Sequence, residues 1–453
     1  MKRKTITKII VMAFIAAFTY KSELKAQNAN DTLRISLDDA LKIALSENLT
    51  VRISDQEVTK QEYAKKGTYA SLYPQIDLSG SYQRTLKKQV MYMDGMGGSN
   101  EGISVGRDNS WSGGVAASMP LVSAILWKSL KISSYNVELA VEKARSSRIE
   151  LIDQVKQSYY AVLLAYDSYL VYKDAYDNAV KNHYDIQQKF EEGLVSEYDV
   201  IRANVNVKNA EPNMYEAENY IILTHWQLKA VLGLDLESNI HCLGSLANFE
   251  KELAKDFLET DISFENNSDL MQMDIQLKQL EISAQMQKAQ NYPSLNAQFS
   301  FQMTSTNNDF KLGQYRWDPY SYAGLSLSIP IFAGGKRNSD IKQSKIELDQ
   351  LNIQRTDLER NLKVTAKQSV DQMSTCIKQY YSALAGVEES EKGYEITMAR
   401  YESGEGTLLD INDSQLSMTQ ARLNLNQSIY NYMAAKSNLE KTLGNNIDEF
   451  INE

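Results

Sequence analysis

Two aspartates three residues apart, Asp410 and Asp413, follow the glycine-bearing run Tyr401-Glu402-Ser403-Gly404. On a helix that spacing sets both carboxylates on one face. Carboxylates held close repel one another, which raises their pKa values and favours a bound cation. Asp410 also admits a plainer reading, because Thr407-Leu408-Leu409-Asp410 has the form of a capping box. Asp413 lies beyond the first helical turn, so capping does not account for it. The same pattern stands earlier in the chain, where Phe190-Glu191-Glu192-Gly193 precedes Ser196-Glu197-Tyr198-Asp199. There the place equivalent to Asp413 is held by Arg202, a cation that could pair with a carboxylate of the neighbouring turn.

Other chemistry is sparse. His183, His225 and His241 have no metal-ligand spacing among themselves. Cys242 and Cys376 are single and far apart, giving neither a disulfide framework nor a metal motif, and read as buried small apolar residues. Gly334-Gly335-Lys336 lacks the spacing of a phosphate loop. Met91, Met93 and Met96 could suggest soft-metal capture, but read better as an accidental loop cluster. With no pairing of nucleophile and base, the chain is not expected to be an enzyme or to carry a cofactor.

The elements around the two glycine runs repeat. Tyr73-Pro74-Gln75-Ile76 returns as Tyr292-Pro293-Ser294-Leu295, Ser118-Met119-Pro120-Leu121 as Ser328-Ile329-Pro330-Ile331, and Leu232-Gly233 as Leu443-Gly444. Landmarks recurring in one order at a spacing of roughly 210 residues point to a duplicated unit rather than a solenoid. From Leu121 to Glu192 there is neither glycine nor proline, which as helix makes a rod of about 105 Å. Within it Leu151, Val155, Tyr159, Val162, Tyr166 and Leu170 form one apolar seam. The tract after each glycine run is about half as long, so a further helix must continue its line. Asn48 to Leu72 and Asn267 to Asn291 fit that part, and Pro212 is expected to kink the helix it interrupts.

Between the proline landmarks the period changes to two. Leu295, Ala297, Phe299, Phe301 and Met303 alternate with polar residues, as do Leu325, Leu327, Ile329 and Ile331. Ile76, Leu78 and Tyr82, then Val115, Ala117, Met119 and Leu121, repeat this less cleanly. Each half therefore offers one hairpin of strands about ten residues long, the length a tilted membrane strand needs. Pro74, Pro120, Pro293 and Pro330 bracket the hairpins, and Trp111, Tyr292, Trp317, Tyr320 and Tyr322 fall toward strand ends, where aromatic girdles form. The segments 87–110 and 305–316 read as exposed hairpin tips.

The resulting division is a signal peptide at 1–26, a first repeat at 27–233, a linker region at 234–266, a second repeat at 267–444 and a tail at 445–453. The first repeat holds a hairpin at about 75–120, a long helix at 121–192 and a shorter one at 197–233. The second holds a helix at 267–291, a hairpin at about 294–332, a long helix at 336–403 and a shorter one at 408–443. The signal rests on Lys2, Arg3, Lys4 and Lys8, the apolar run Ile9 to Phe18, and Ala26 before the cleavage point, with no cysteine for a lipid anchor. Its removal takes the formal charge from -10 to about -15, which disfavours nucleic acid as a partner. No later apolar stretch is long enough for a membrane helix, so any membrane entry is by strands.

Helix, strand hairpin, long helix, glycine turn and returning helix, performed twice, resembles the TolC family of outer membrane efflux factors. Tyr73-Pro74, Tyr292-Pro293, the run Pro330-Ile331-Phe332-Ala333-Gly334-Gly335, and Tyr401 through Gly404 with Asp410 and Asp413 carry the resemblance. It implies a mainly α protein of coiled-coil-like helices forming a periplasmic α-barrel. Four strands per chain would join those of two other copies in a twelve-stranded barrel in the outer membrane of a Gram-negative bacterium. Four strands cannot close a barrel, and an open edge in lipid leaves backbone groups unpaired, so a homotrimer is physically sensible.

The resemblance also implies roles. Asp410 and Asp413 match aspartates that ring the narrowest point of the pore. Tyr401 and Asp199 match a pair whose hydrogen bond helps hold the entrance shut. The family's basic partner in the second turn falls at Gly406, so this network is altered, and Arg202 offers a different lock. Gly193, Leu194 and Gly404 match tip positions that meet a periplasmic adaptor, although plain helix-ending glycines read equally well. The implied function is a passive exit duct of a tripartite efflux or type I secretion system, joined through the adaptor to an inner membrane pump. The rival is a soluble periplasmic coiled-coil scaffold, which has no use for an outward apolar strand face.

Overall fold

The computed structural model describes residues 33–92, 102–253 and 262–445. In chain order its elements are β1 (Leu33–Ile35), α1 (Leu37–Glu47), α2 (Leu49–Ala70), β2 (Gln75–Arg84), β3 (Gln89–Met91), β4 (Ile103–Val105) and β5 (Asn109–Val122). Then come α3 (Ala124–Glu191), α4 (Glu197–Leu232), β6 (Ile240–Cys242), the short α5 (Glu250–Leu253), α6 (Ser268–Ala289), β7 (Ser294–Asn307), β8 (Asp318–Ser328), α7 (Lys336–Glu402) and α8 (Leu408–Leu443). The order 22-residue helix, strand pair, long helix, 36-residue helix occurs twice. None of the described helices is long and apolar enough to cross a membrane.

Local chemistry sets the helix ends. Asn48 caps α2 by accepting from Thr50 N, and Asn267 caps α6 by accepting from Leu270 N. Side-chain oxygens at these positions satisfy amides that have no partner inside the helix. Gly233 and Gly444 close α4 and α8 in the left-handed region, at φ 76° and 75°. The long α3 and α7 run 68 and 67 residues, and Gly386 and Gly393 lie inside α7 without ending it. Pro212, expected to kink its helix, sits inside a continuous α4. Its ring removes one backbone bond, and the bonds on either side carry the helix past it.

The chain divides into two compact units. One comprises Asn48–Gln154, Leu253–Lys378 and Asn431–Glu453 and contains the main sheet. Its order is β2-β5-β7-β8, every neighbour antiparallel, so each expected hairpin forms and the two join through β5 and β7. Strands β5 and β7 reach 14 residues, longer than expected. Pro120 does not end β5; the register shifts between Pro120 and Val122 instead. At the other end Ile329 and Ile331 are not strand residues, because β8 stops at Ser328 before Pro330, which has no amide to donate.

Register sorts this sheet into two faces. Leu78, Val115 and Phe301 face each other across β2, β5 and β7, as do Ile76, Ala117 and Phe299. Leu295 and Ala297 continue the row opposite Leu327 and Leu325 of β8. The reverse face carries Asp77, Ser79, Ser112, Ser118, Asn296, Gln298 and Gln302. Leu78 is 84% exposed and Leu325 68%, and nothing among the described residues covers them. Both edge strands, β2 and β8, are exposed along their whole length.

The second unit comprises Met1–Glu47, Val155–Glu252 and Gln379–Tyr430. Here β1 and β6 pair in parallel, with Leu243 N donating to Ile35 O at 2.9 Å. Tyr159, 1% exposed, sends its hydroxyl to Ile35 O and Leu243 O at 3.2 and 2.7 Å. Burial pushes this phenol up to about 12. Of the expected α3 seam, Val155, Tyr159 and Val162 are buried, but Tyr166 and Leu170 are exposed and Ala165 takes the inner position. Tyr159→Phe removes the donor both carbonyls use and should cost about 1–3 kcal/mol in urea unfolding. Tyr166→Phe, on the exposed side of the same helix, should leave the midpoint unchanged.

Cys242 and Cys376 are free and buried. The tip at 87–110 contains a feature the sequence did not suggest, the small ribbon β3–β4. Met91 ends β3, while Met93 and Met96 lie outside the described residues.

Candidate functional site

The two glycine turns lie in the same unit. Helix α3 ends with Gly193 at φ +77°, its amide on Phe190 O and that of Leu194 on Lys189 O. Helix α7 ends with Gly404 at φ +81°, its amide on Tyr401 O, followed by Glu405 and Gly406, which both donate to Arg400 O. These carbonyls would otherwise be left without partners at the helix end. The second turn is drawn tighter than the first. A Cβ at Gly406 would stand 2.9 Å from Tyr401 N, whereas its counterpart Val195 keeps a side chain and packs inward.

Each returning helix starts with a full capping box. Ser196 Oγ accepts from Asp199 N, and Asp199 Oδ2 accepts from Ser196 N and Oγ at 3.1 and 2.7 Å. Thr407 and Asp410 repeat this at 2.9 and 2.8 Å. The Thr407 amide and hydroxyl hold the Asp410 carboxyl below its ordinary value, and Arg400 adds to this. A depressed carboxyl stabilises the folded turn above its unfolded-state pKa, and that contribution fades as pH falls through the lowered folded value.

Tyr401 is half-buried against Ile186, Ala203 and Leu408, alongside Val195 and Val200. Burial raises its phenol, and the Asp199 charge raises it further. The Asp199 carboxylate is engaged with Ser196, and among the described residues Tyr401 is not hydrogen-bonded to it. The ring instead carries Lys189, whose ammonium lies 4.7 Å from its centroid. Lys189 comes from the first turn and Tyr401 from the second, so the contact joins them. Arg202 is half-buried and makes no ion pair among the described residues. Gly193, Leu194 and Gly404 are exposed at the tips, Leu194 by 69%.

Asp413 stands exposed at the rim of a groove of ≈ 410 Å³. Tyr172 and Ala175 of α3, Asn206, Asn209 and Asn213 of α4, and Asn412 and Gln415 of α8 line it. Asn206 donates to Asn412 at 3.0 Å, and Gln415 Nε2 donates to Ala175 O at 2.8 Å. Among the described residues Gln415 Oε1 is buried without a partner. This amide ladder went unseen in the sequence, although Asn206, Asn209 and Asn213 share one helix face and gave a usable signal. Among the described residues no group of three or more His, Cys, Asp or Glu is placed to hold a metal.

The profile of the family described as outer membrane efflux protein matches residues 40–234 and 261–445, one segment for each pass of the repeated order. Outer membrane protein TolC of Escherichia coli is 23% identical over 421 residues, covering 87% of this chain and 80% of that protein. Cobalt-zinc-cadmium resistance protein CzcC of Cupriavidus metallidurans is 23% identical over 312 residues, 68% of this chain and 71% of its own. The crystal structure of the Campylobacter jejuni CmeC outer membrane channel superposes with a TM-score of 0.72 at 20% identity, over 90% of this chain and 85% of that one. With both passes of the helix-and-hairpin order inside the matched segments, the chain belongs to the outer membrane efflux protein family.

Proposed function

We propose that the chain is the outer membrane exit duct of a tripartite export system, working as a homotrimer and opening a passive path from periplasm to exterior. The observation that carries this reading is the β2-β5-β7-β8 sheet, with one apolar face uncovered and both edges unpaired among the described residues. In water such a face and such edges are a liability. In a bilayer the face meets acyl chains, and pairing β2 of one copy with β8 of the next leaves no edge. A periplasmic scaffold would have to cover both. The chain performs no catalysis in this reading; an inner membrane pump supplies the energy, and the exposed tips at Gly193, Leu194 and Gly404 meet the adaptor.

Asp410 and Asp413 would then form a ring of carboxylates at the narrow end, with Tyr401, Asp199 and Arg202 governing closure of the entrance. Asp413 is the cleaner probe, since Asp410 also caps its helix. The full-length protein should conduct in planar bilayers with a preference for cations, and Asp413→Asn should lower that preference while leaving helix content unchanged. Identical reversal potentials for the two proteins under a salt gradient would take Asp413 out of the pore lining. Recovery of the wild type as a soluble periplasmic monomer would overturn the duct itself.

A further inference from the structure

We propose that the tip end of the apolar sheet face binds the phosphate of a lipid headgroup, with Arg84 as the central cation and Lys87 and Arg107 beside it. The proposal rests on the outer membrane reading above. Strand alternation puts Arg84 on the same face as Ile76, Leu78 and Tyr82. Toward the tip this face changes character in order. The aliphatic rows give way to Tyr82 tilted against Trp111 with ring centroids 4.3 Å apart, and Phe310 6.0 Å from Tyr82. Next comes the Arg84 guanidinium, 5.9 Å from the Phe310 ring centroid. Aromatic rings settle at the level of the headgroups, and cations just beyond them reach lipid phosphates.

The turn assembles the other two charges. Arg84 pairs with Asn109, and Thr85 N donates to Asp108 O at 2.8 Å, so the chain around Lys87 returns alongside Arg107. Two other cations here are already committed: Lys88 to Asp108 at 3.0 Å and Arg316 to Asp318 at 2.9 Å. Arg84, Lys87 and Arg107 are exposed and have no carboxylate partner among the described residues. A planar guanidinium resting on a ring is suited to two parallel bonds to one phosphate. The same face continues into apolar rows, so a ligand joining a phosphate to acyl chains uses all of it, and a free anion uses only the charges.

The test titrates the full-length protein, purified in neutral detergent, with lipid A, with dephosphorylated lipid A and with inorganic phosphate. Lipid A should bind, and an Arg84→Gln, Lys87→Gln, Arg107→Gln triple variant should bind it at least about tenfold more weakly. Equal affinity in the variant overturns the site, as does equal binding of the dephosphorylated lipid. Inorganic phosphate binding as tightly as lipid A overturns the choice of a lipid. Unchanged conductance of the triple variant shows that it folds, so a loss of binding is read at the three cations. Failure of the wild type to conduct counts against the channel reading, separately from the headgroup result.

Discussion

Phe301→Arg is expected to remove the protein from the outer membrane, whereas the same substitution one residue later, Gln302→Arg, should leave it there. Phe301 lies near the middle of β7, in a row with Val115 and Leu78 on the apolar face. Gln302 points to the reverse face, beside Gly114 and Tyr320. An arginine facing lipid at the bilayer midplane costs about 2–4 kcal/mol, and the proposed trimer would carry it three times. On the inner face the same side chain meets water. Sucrose-gradient separation of membranes and the mobility of unheated samples on gels would report both effects. Equal behaviour of the two variants would mean that neither face meets lipid, and the proposed duct would fail with it.

The asymmetry between Phe301 and Gln302 was legible in the sequence because period-two alternation is a local signal, readable without knowing the partner strand. Capping at Asp199 and Asp410 was legible for the same reason, since the whole device spans four residues. Pro330 misled, because alternation continues through Ile331 while the missing amide ends the strand at Ser328. The pairing of β1 with β6 could not be read, as three-residue strands are too short to show a period. The support Tyr159 gives that pair depends on residues more than a hundred positions apart. Lys189 on Tyr401 is a contact between the two repeats, and the repeat pattern relates equivalent residues rather than touching ones. The groove under Asp413 escaped because asparagines on a helix are ordinarily taken for a solvated face, and here two of them bond across helices.

Gly444→Ala is expected to destabilise the unit that carries it far more than Gly193→Ala, although both glycines sit at nearly the same φ, +75° and +77°. At Gly193 there is nothing within 4 Å of where a Cβ would stand, so the cost is that of the left-handed backbone alone, about 1–2 kcal/mol. At Gly444 the Cβ would overlap the Asn266 carbonyl oxygen and lie 2.6 Å from its carbon. That carbonyl cannot easily move. Arg145 Nη2 holds it at 2.6 Å, Arg145 also bonds Glu142 at 2.8 Å, and Glu142 accepts from Ser268 at 2.6 Å. Next to it Asn267 caps α6 and donates to Thr442 O at 2.8 Å, so shifting the backbone strains a helix cap and a helix end together. Overpacking of this kind adds about 1–3 kcal/mol to the conformational cost. Denaturant unfolding of both variants against the parent measures the difference. Equal losses would show that Asn266 yields without cost, and that the Leu-Gly pair closing each repeat serves only to end a helix.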